Sequence, residues 1–306
     1  MDVGGPEDAS SGSDGGTTGF GLRRADASES ALGRAGAELA HVRMVATDLD
    51  GTLLDPTGEV TERTAKAVAA AREAGIHVVP ITGRPPQAMW HLAEQAGLGP
   101  FGVCSNGAAI VDLDSRSVIE VEPLAGDIAD GLVDLLRSEL PGVLLACDDL
   151  DFFTHEAGFF PGPVDWDEEM REVGDIRPAV RAGCVKLIAR SPGYSALQLI
   201  EFLEDHLAEM AHVTTSGLDW VDIGAVQVSK AYAMQRLCDR LGMHLGEVIA
   251  VGDNHNDLSV LAWAGIAMAP ANAIAEVLAV AHRVLPANGE DGVAELLEEL
   301  AALNVG

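Results

Sequence analysis

The chain has 306 residues, of which 48% are hydrophobic and only 4% aromatic, and a formal net charge of −29 at pH 7. That length suits one large domain or two moderate ones. The acidity excludes recognition of nucleic-acid phosphates and docking on anionic membranes, since both need a basic face.

The first segment, residues 1–40, is rich in Gly, Ser, Asp and Ala. It predicts a disordered extension, with at most a weak Ala-rich helix over 29–40. Its start has no cationic stretch followed by an apolar one, and the chain has no run of ~18 apolar residues, so neither a secretory leader nor a membrane span is expected. The four cysteines, at 104, 147, 184 and 238, lack metal-ligand spacing and read as buried free thiols. A reducing, cytoplasmic setting follows as the expectation.

Order begins at Val42. "RMVATD" predicts a buried strand, followed by a helix over "VTERTAKAVAAAREAG" with Thr61 as N-cap and Gly75 as stop. "IHVVPIT" is a second buried strand, "PPQAMWHLAEQAG" a helix with prolines in its first turn, and "FGVCSN" a third strand. Near-continuous apolar strands alternating with helices predict a parallel sheet covered on both faces. From about 112 to 214 the texture changes: strands such as "GVLLACDD" and "CVKLIAR" sit among amphipathic helices and turn-rich pieces such as "GFFPGPVDWDEE". The α/β pattern then returns with a helix over "SKAYAMQRLCDRLG", a strand "EVIAVGD", a helix "DLSVLAWAG" and a strand "IAMA". The expected organisation is an α/β protein with a Rossmann-like parallel-sheet core, residues 41–111 and 215–306, and an inserted α+β cap, residues 112–214.

In such a sheet, ligands bind beyond the carboxyl ends of the strands. Four expected strand ends are polar and glycine-containing: Asp48-Leu49-Asp50-Gly51-Thr52, Thr82-Gly83-Arg84, Ser105-Asn106-Gly107 and Gly252-Asp253-Asn254-His255-Asn256-Asp257. One acid after a strand is commonly a helix cap or turn residue; four such tips together favour a phosphate and a hard cation. Asp48 and Asp50, one residue apart, repel each other unless something positive lies nearby. Asp48 and Asp253 could supply carboxylate oxygens to Mg²⁺, and a backbone carbonyl near Asp50 a third ligand. Gly51 and Gly83 permit close approach, and Thr82 offers a hydroxyl and an amide to a phosphoryl oxygen. Lys230 is one of only three lysines and starts a helix as the core resumes. It could serve a phosphate as a point charge or be an ordinary exposed helix lysine. His255 reads as a surface histidine.

In order, "DLDGTLLD", "TGR", the lone Lys230 and "GDNHND" resemble the four motifs of the haloacid dehalogenase superfamily of phosphohydrolases. The long insertion, "SNGA" at 105–108 and "NGEDGVAELL" at 288–297 resemble its Cof-like (IIB) sugar-phosphatase branch, with a large α/β cap. The resemblance implies that Asp48 is a nucleophile forming an aspartyl-phosphate and Asp50 a general acid and then base. Thr82 would hold the phosphoryl group and Lys230 stabilise its charge. Asp253 would ligate Mg²⁺, with Asn256 and Asp257 close to it; Asp48 and Asp50 complete the implied metal group. Gly51, Gly83, Arg84 and Asn106 would face the substrate. One departure is Ala231, where the family often has Gly after its lysine. The implied activity is a Mg²⁺-dependent phosphatase of small phosphorylated metabolites, sugar phosphates or similar. A phosphomannomutase-like phosphotransferase and a non-catalytic sugar-phosphate-binding regulator are the alternatives. In the insertion, "IRPAVRAGCVKLIAR" gathers Arg177, Arg181, Lys186 and Arg190. This reads either as a solvated edge or as a face on which Lys186 or Arg190 selects the leaving group, because Lys186, Ile188 and Arg190 share one side of a strand.

Overall fold

The computed structural model describes residues 39–160, 170–207 and 209–304. The expected N-terminal extension, apart from its last two positions, and most of the turn-rich stretch 158–169 lie outside the described residues. The described strands are β1 (Met44–Thr47), β2 (His77–Pro80), β3 (Phe101–Cys104), β4 (Ala109–Asp112), β5 (Ser117–Val121), β6 (Leu144–Asp148), β7 (Phe153–Glu156), β8 (Met170–Val173), β9 (Lys186–Arg190), β10 (Ala211–Thr214), β11 (Val221–Ala225), β12 (Val248–Val251), β13 (Ile266–Pro270) and β14 (Arg283–Leu285).

Five strands form an all-parallel sheet in the order β14-β13-β12-β1-β2. The period of two splits its apolar residues between two cores. Val45, Ile249 and Val251 pack with the helices Glu62–Glu73, Pro86–Ala96 and Gly292–Asn304. Met44, Ala46, Val248 and Ala250 pack with Lys230–Leu241, Leu258–Trp263 and Ala275–Val280. Both faces are covered, which is why these strands read as unbroken apolar runs. The chain leaves β1 for β2 on one side and later returns to β12 on the other. The β1/β12 boundary is therefore a topological switch point, where a crevice opens beyond the carboxyl ends.

The expected third strand departs from the pattern. β3 touches the parallel sheet through a single bridge, Val103 to Ile81, and otherwise pairs antiparallel with β4, which pairs with β5. A second large sheet, β10-β11-β9-β6-β7-β8, is antiparallel except between β7 and β8. Leu145, Cys147, Leu187 and Ala189 on one face build a separate core with the helices Gly126–Glu139 and Ala196–Leu207. The protein is thus a parallel α/β core carrying an inserted α+β unit. This second sheet continues through β11 to Ala225, beyond the residue 214 expected as its end. Val221 and Ile223 face its core and Asp222 faces away, so strand alternation persists up to the next helix. All four cysteines are buried and free.

The connection back to the core is tight. Gly107 has φ +103°, and a Cβ there would lie 2.1 Å from the carbonyl oxygen of Ser229, the N-cap whose side chain accepts from Tyr232 N–H. Only glycine lets the Ser105–Gly107 loop seat the start of the Lys230–Leu241 helix. Gly142 shares a positive φ, +84°, and among the described residues nothing lies within 4 Å of its missing Cβ. Gly142→Ala is therefore expected to cost roughly 1–2 kcal/mol of backbone strain alone. Gly107→Ala adds a backbone collision and is expected to cost roughly 3 kcal/mol or more. Urea unfolding of both variants checks this, and equal losses would contradict it.

Candidate active site

Three carboxylates meet at the switch point. Asp48 leaves β1 with its N–H still bonded to the Val251 carbonyl (2.9 Å). Asp253 and Asp257 come from the loop after β12. One oxygen from each of the three lies within 4.8 Å of the others. Lys230, at the first turn of its helix and 1% exposed, drives its ammonium between two of them. Nζ donates to Asp48 Oδ1 at 2.8 Å and to Asp257 Oδ1 at 2.6 Å. The other oxygen of Asp257 accepts from the backbone N–H of Asp253 (2.9 Å) and of Asn254 (3.0 Å). Asp257 is thus a brace that shapes the loop and holds the lysine. Asp253 is oriented by Thr52, whose hydroxyl donates to Oδ1 at 2.8 Å. Gly51, at φ +73°, makes room for it: a Cβ there would lie 2.5 Å from Asp253 Oδ2.

The electrostatics of the cluster are unbalanced. Three carboxylates and one ammonium leave two negative charges. Burial pushes Asp48 up from the usual carboxylate range; Lys230 pulls it back, and Asp257 and Asp253 push it further up. Burial, with Asp257 beside it, raises Asp253 to about 6. Burial disfavours the charge on Lys230, but Asp257 and Asp48 outweigh it and hold the ammonium above its ordinary range. An all-oxygen cluster with two unbalanced negative charges fits a hard divalent cation. In the same loop as Asp253 and Asp257, buried Asn256 Oδ1 has no hydrogen-bond partner among the described residues, an oxygen suited to a cation or its water.

The other expected residues surround this floor differently. The Asp50 carboxylate is absent from the cluster. It is half-exposed, and Arg84 grips both its oxygens, Nε to Oδ2 at 2.8 Å and Nη2 to Oδ1 at 2.6 Å. Thr82 is buried, and its amide is spent on the Val103 carbonyl (2.9 Å), leaving the hydroxyl as its group for a ligand. Gly83 gives its carbonyl to Lys186 Nζ at 3.0 Å. The Asn106 side chain does not face a ligand: it joins Asp222 (2.8 Å) to Asn256 (3.1 Å). A cavity of about 560 Å³ opens over Asp48, Asp50, Thr82 and Asn256. The helix Pro86–Ala96 lines one side with Gln87, His91 and Gln95, and the second sheet lines another with Phe153, Lys186, Ile188 and Trp220. Lys186 and Ile188 reach it as the strand alternation predicts. Arg190 on the same strand face does not; it donates to the Phe159 carbonyl at 3.1 Å. Arg177 and Arg181 pair with Asp130, and Arg177 also with Asp134, on the flanking helices.

Several participants were not singled out from the sequence. Thr52 sits in the first motif, and its position four residues after Asp48 was the available signal. Asp148 accepts from Ser105 Oγ at 2.6 Å, and Asp222 holds Asn106. Both are acids inside apolar strands, "LLACD" and "VDIGA", a pattern that marks a buried polar role.

A sequence model of the family described as haloacid dehalogenase-like hydrolase matches residues 45–297. The pyridoxal phosphate phosphatase YbhA of Escherichia coli is 28% identical over 267 residues, covering 83% of this chain and 97% of its own. The 5-amino-6-(5-phospho-D-ribitylamino)uracil phosphatase YitU of Bacillus subtilis is 28% identical over 265 residues, covering 85% and 98%. Among solved structures, a haloacid dehalogenase-like hydrolase from Bacteroides thetaiotaomicron superposes with a TM-score of 0.71 at 26% identity, over 85% of this chain and 99% of that one.

Removing the ammonium tests the floor. Lys230→Met leaves Asp48 and Asp257 buried without their counter-charge and is expected to cost about 3–5 kcal/mol in urea unfolding without divalent cations. A loss below about 1 kcal/mol would show that the pair is not held as described.

Proposed function

The chain belongs to the haloacid dehalogenase-like hydrolases, and from that premise we propose that it is a phosphatase of small phosphorylated metabolites working through an aspartyl-phosphate. The observation that carries this reading is the buried Asp48 carboxylate, pinned by Lys230 at the floor of a cavity large enough for a metabolite.

A phosphomonoester enters with its phosphoryl group over Asp48 and the Thr82 hydroxyl, and its leaving group points to the wall of Phe153, Ile188 and Trp220. Asp48 attacks phosphorus, and the bond to the leaving oxygen breaks. Asp50 swings from Arg84 and relays to that oxygen the proton carried in by the phosphomonoester monoanion; it then takes the proton of the water that attacks the aspartyl-phosphate and returns it to the departing phosphate. Inorganic phosphate leaves and the Asp48 carboxylate is regenerated. Asp48 and Asp253 would hold Mg²⁺, which when bound supplies neutralising charge for the transferring phosphoryl group. Lys230 adds positive charge from within the protein, and Asp257 fixes the lysine. The unit between the core segments acts as a cap, supported by the side chains and carbonyls it shares with the core across the cavity.

The test is phosphate release from p-nitrophenyl phosphate and from a panel of phosphorylated metabolites, with Mg²⁺ and with EDTA. Asp48→Asn is isosteric and is expected to stay folded while losing at least about a hundredfold in rate, roughly 3 kcal/mol of barrier. EDTA is expected to silence the wild type. A folded Asp48→Asn variant that keeps its rate, or full activity in EDTA, would refute the reading.

A further inference from the structure

A chain of hydrogen bonds runs from the second sheet to the loop that carries Asp253. Asp222 on β11, Asn106 in the Ser105–Gly107 loop and Asn256 are each at most 6% exposed. Asn106 Nδ2 donates to Asp222 Oδ2 at 2.8 Å, and Asn256 Nδ2 donates to Asn106 Oδ1 at 3.1 Å. Asn106 sits at φ +56°, a left-handed conformation that Asn tolerates better than most residues.

The two amides are nearly symmetric in shape, so either could turn over if nothing fixed one end. A carboxylate only accepts. Asp222 therefore obliges Asn106 to present its NH₂, which turns the Asn106 carbonyl to Asn256 and obliges Asn256 to answer with its own NH₂. Asn256 Oδ1 is left on the remaining side, buried and without a hydrogen-bond partner among the described residues, on a residue that lines the cavity over Asp48. An acceptor there suits a divalent cation or the water around it and repels a phosphoryl oxygen.

We propose that Asp222 is a positioning residue for the cation site: by fixing the polarity of Asn106 and Asn256, it makes Asn256 present oxygen rather than NH₂. Because Asp222 lies on β11, docking of the second sheet on the core and cation affinity are coupled. This rests on the cation reading of the Asp48–Asp253 cluster.

The test is a Mg²⁺ titration of the full chain, without substrate, read as thermal stabilisation. Asp222→Asn can offer NH₂ to Asn106 and release the chain. It also removes a charge 3.5 Å from Lys186, so the control is Asp148→Asn, which removes a buried charge that also acts on Lys186 but does not touch the amides. Asp222→Asn is expected to raise the Mg²⁺ midpoint about tenfold or more, the scale of a lost outer-shell partner, and Asp148→Asn by less than about threefold. A second measurement does not depend on the stability of either single variant. In Asp222→Asn/Asn256→Asp the chain reverses and both of its hydrogen bonds through Asn106 are kept, so the double variant is expected to melt above Asn256→Asp alone. A wild type without a Mg²⁺-dependent shift overturns the cation reading and this inference together. Equal midpoints for the two Asn variants, or no recovery in the double variant, overturn this inference alone.

Discussion

The ammonium of Lys230 is the point on which the site depends. It reaches Asp48 at the end of β1 and Asp257 after β12, and it comes from the helix that begins where the chain re-enters the core. Three segments distant in sequence are thereby fixed within hydrogen-bond reach of one nitrogen. Such a buried pair is not a strong source of stability, because desolvating the charges costs about as much as their attraction returns. What it does is position: it fixes the orientation of the Asp48 carboxylate within a cluster of three carboxylates that one ammonium only partly balances.

The contact between the two halves combines polar pairs with a small apolar cluster of Ala108, Val185, Ala225 and Val228. Ser105 with Asp148, Asn106 with Asp222 and the Gly83 carbonyl with Lys186 span it. Burial raises Asp148 above the usual carboxylate range while Lys186 pulls it back. The cavity wall that the inserted unit supplies is mixed, with Phe153 and Trp220 beside Lys186 and Asp222. In a chain that is only 4% aromatic, Phe153, Phe159, Phe160 and Trp220 converge with ring centroids 5.1–6.2 Å apart.

The core sheet and its tips were legible in the sequence because parallel strands buried on both faces leave continuous apolar runs, and because Asp48, Thr82 and Asp253 all follow such runs directly. The convergence of Lys230 was legible only through the resemblance; on position alone it could have been an exposed helix lysine. What was not legible depends on tertiary geometry. Nothing local says that β3 turns away into a meander after one bridge, or that Arg84 takes both oxygens of Asp50. Strand alternation put Lys186, Ile188 and Arg190 on one face, but where the cavity ends along that strand is decided by the core beneath it. Asp222 was hidden for a similar reason: its partner, Asn106, lies 116 residues away.

Covalent chemistry at Asp48 is the central claim, and its most direct measurement is the mass of the enzyme during turnover. With Asp50→Asn slowing the attack of water, acid quench on a reactive phosphomonoester such as p-nitrophenyl phosphate is expected to leave one added phosphoryl group. Fragmentation should place it on Asp48, and hydroxylamine should remove it, as it does an acyl phosphate. Burst release of the leaving alcohol with no adduct, or an adduct on any other residue, would contradict a mechanism through Asp48.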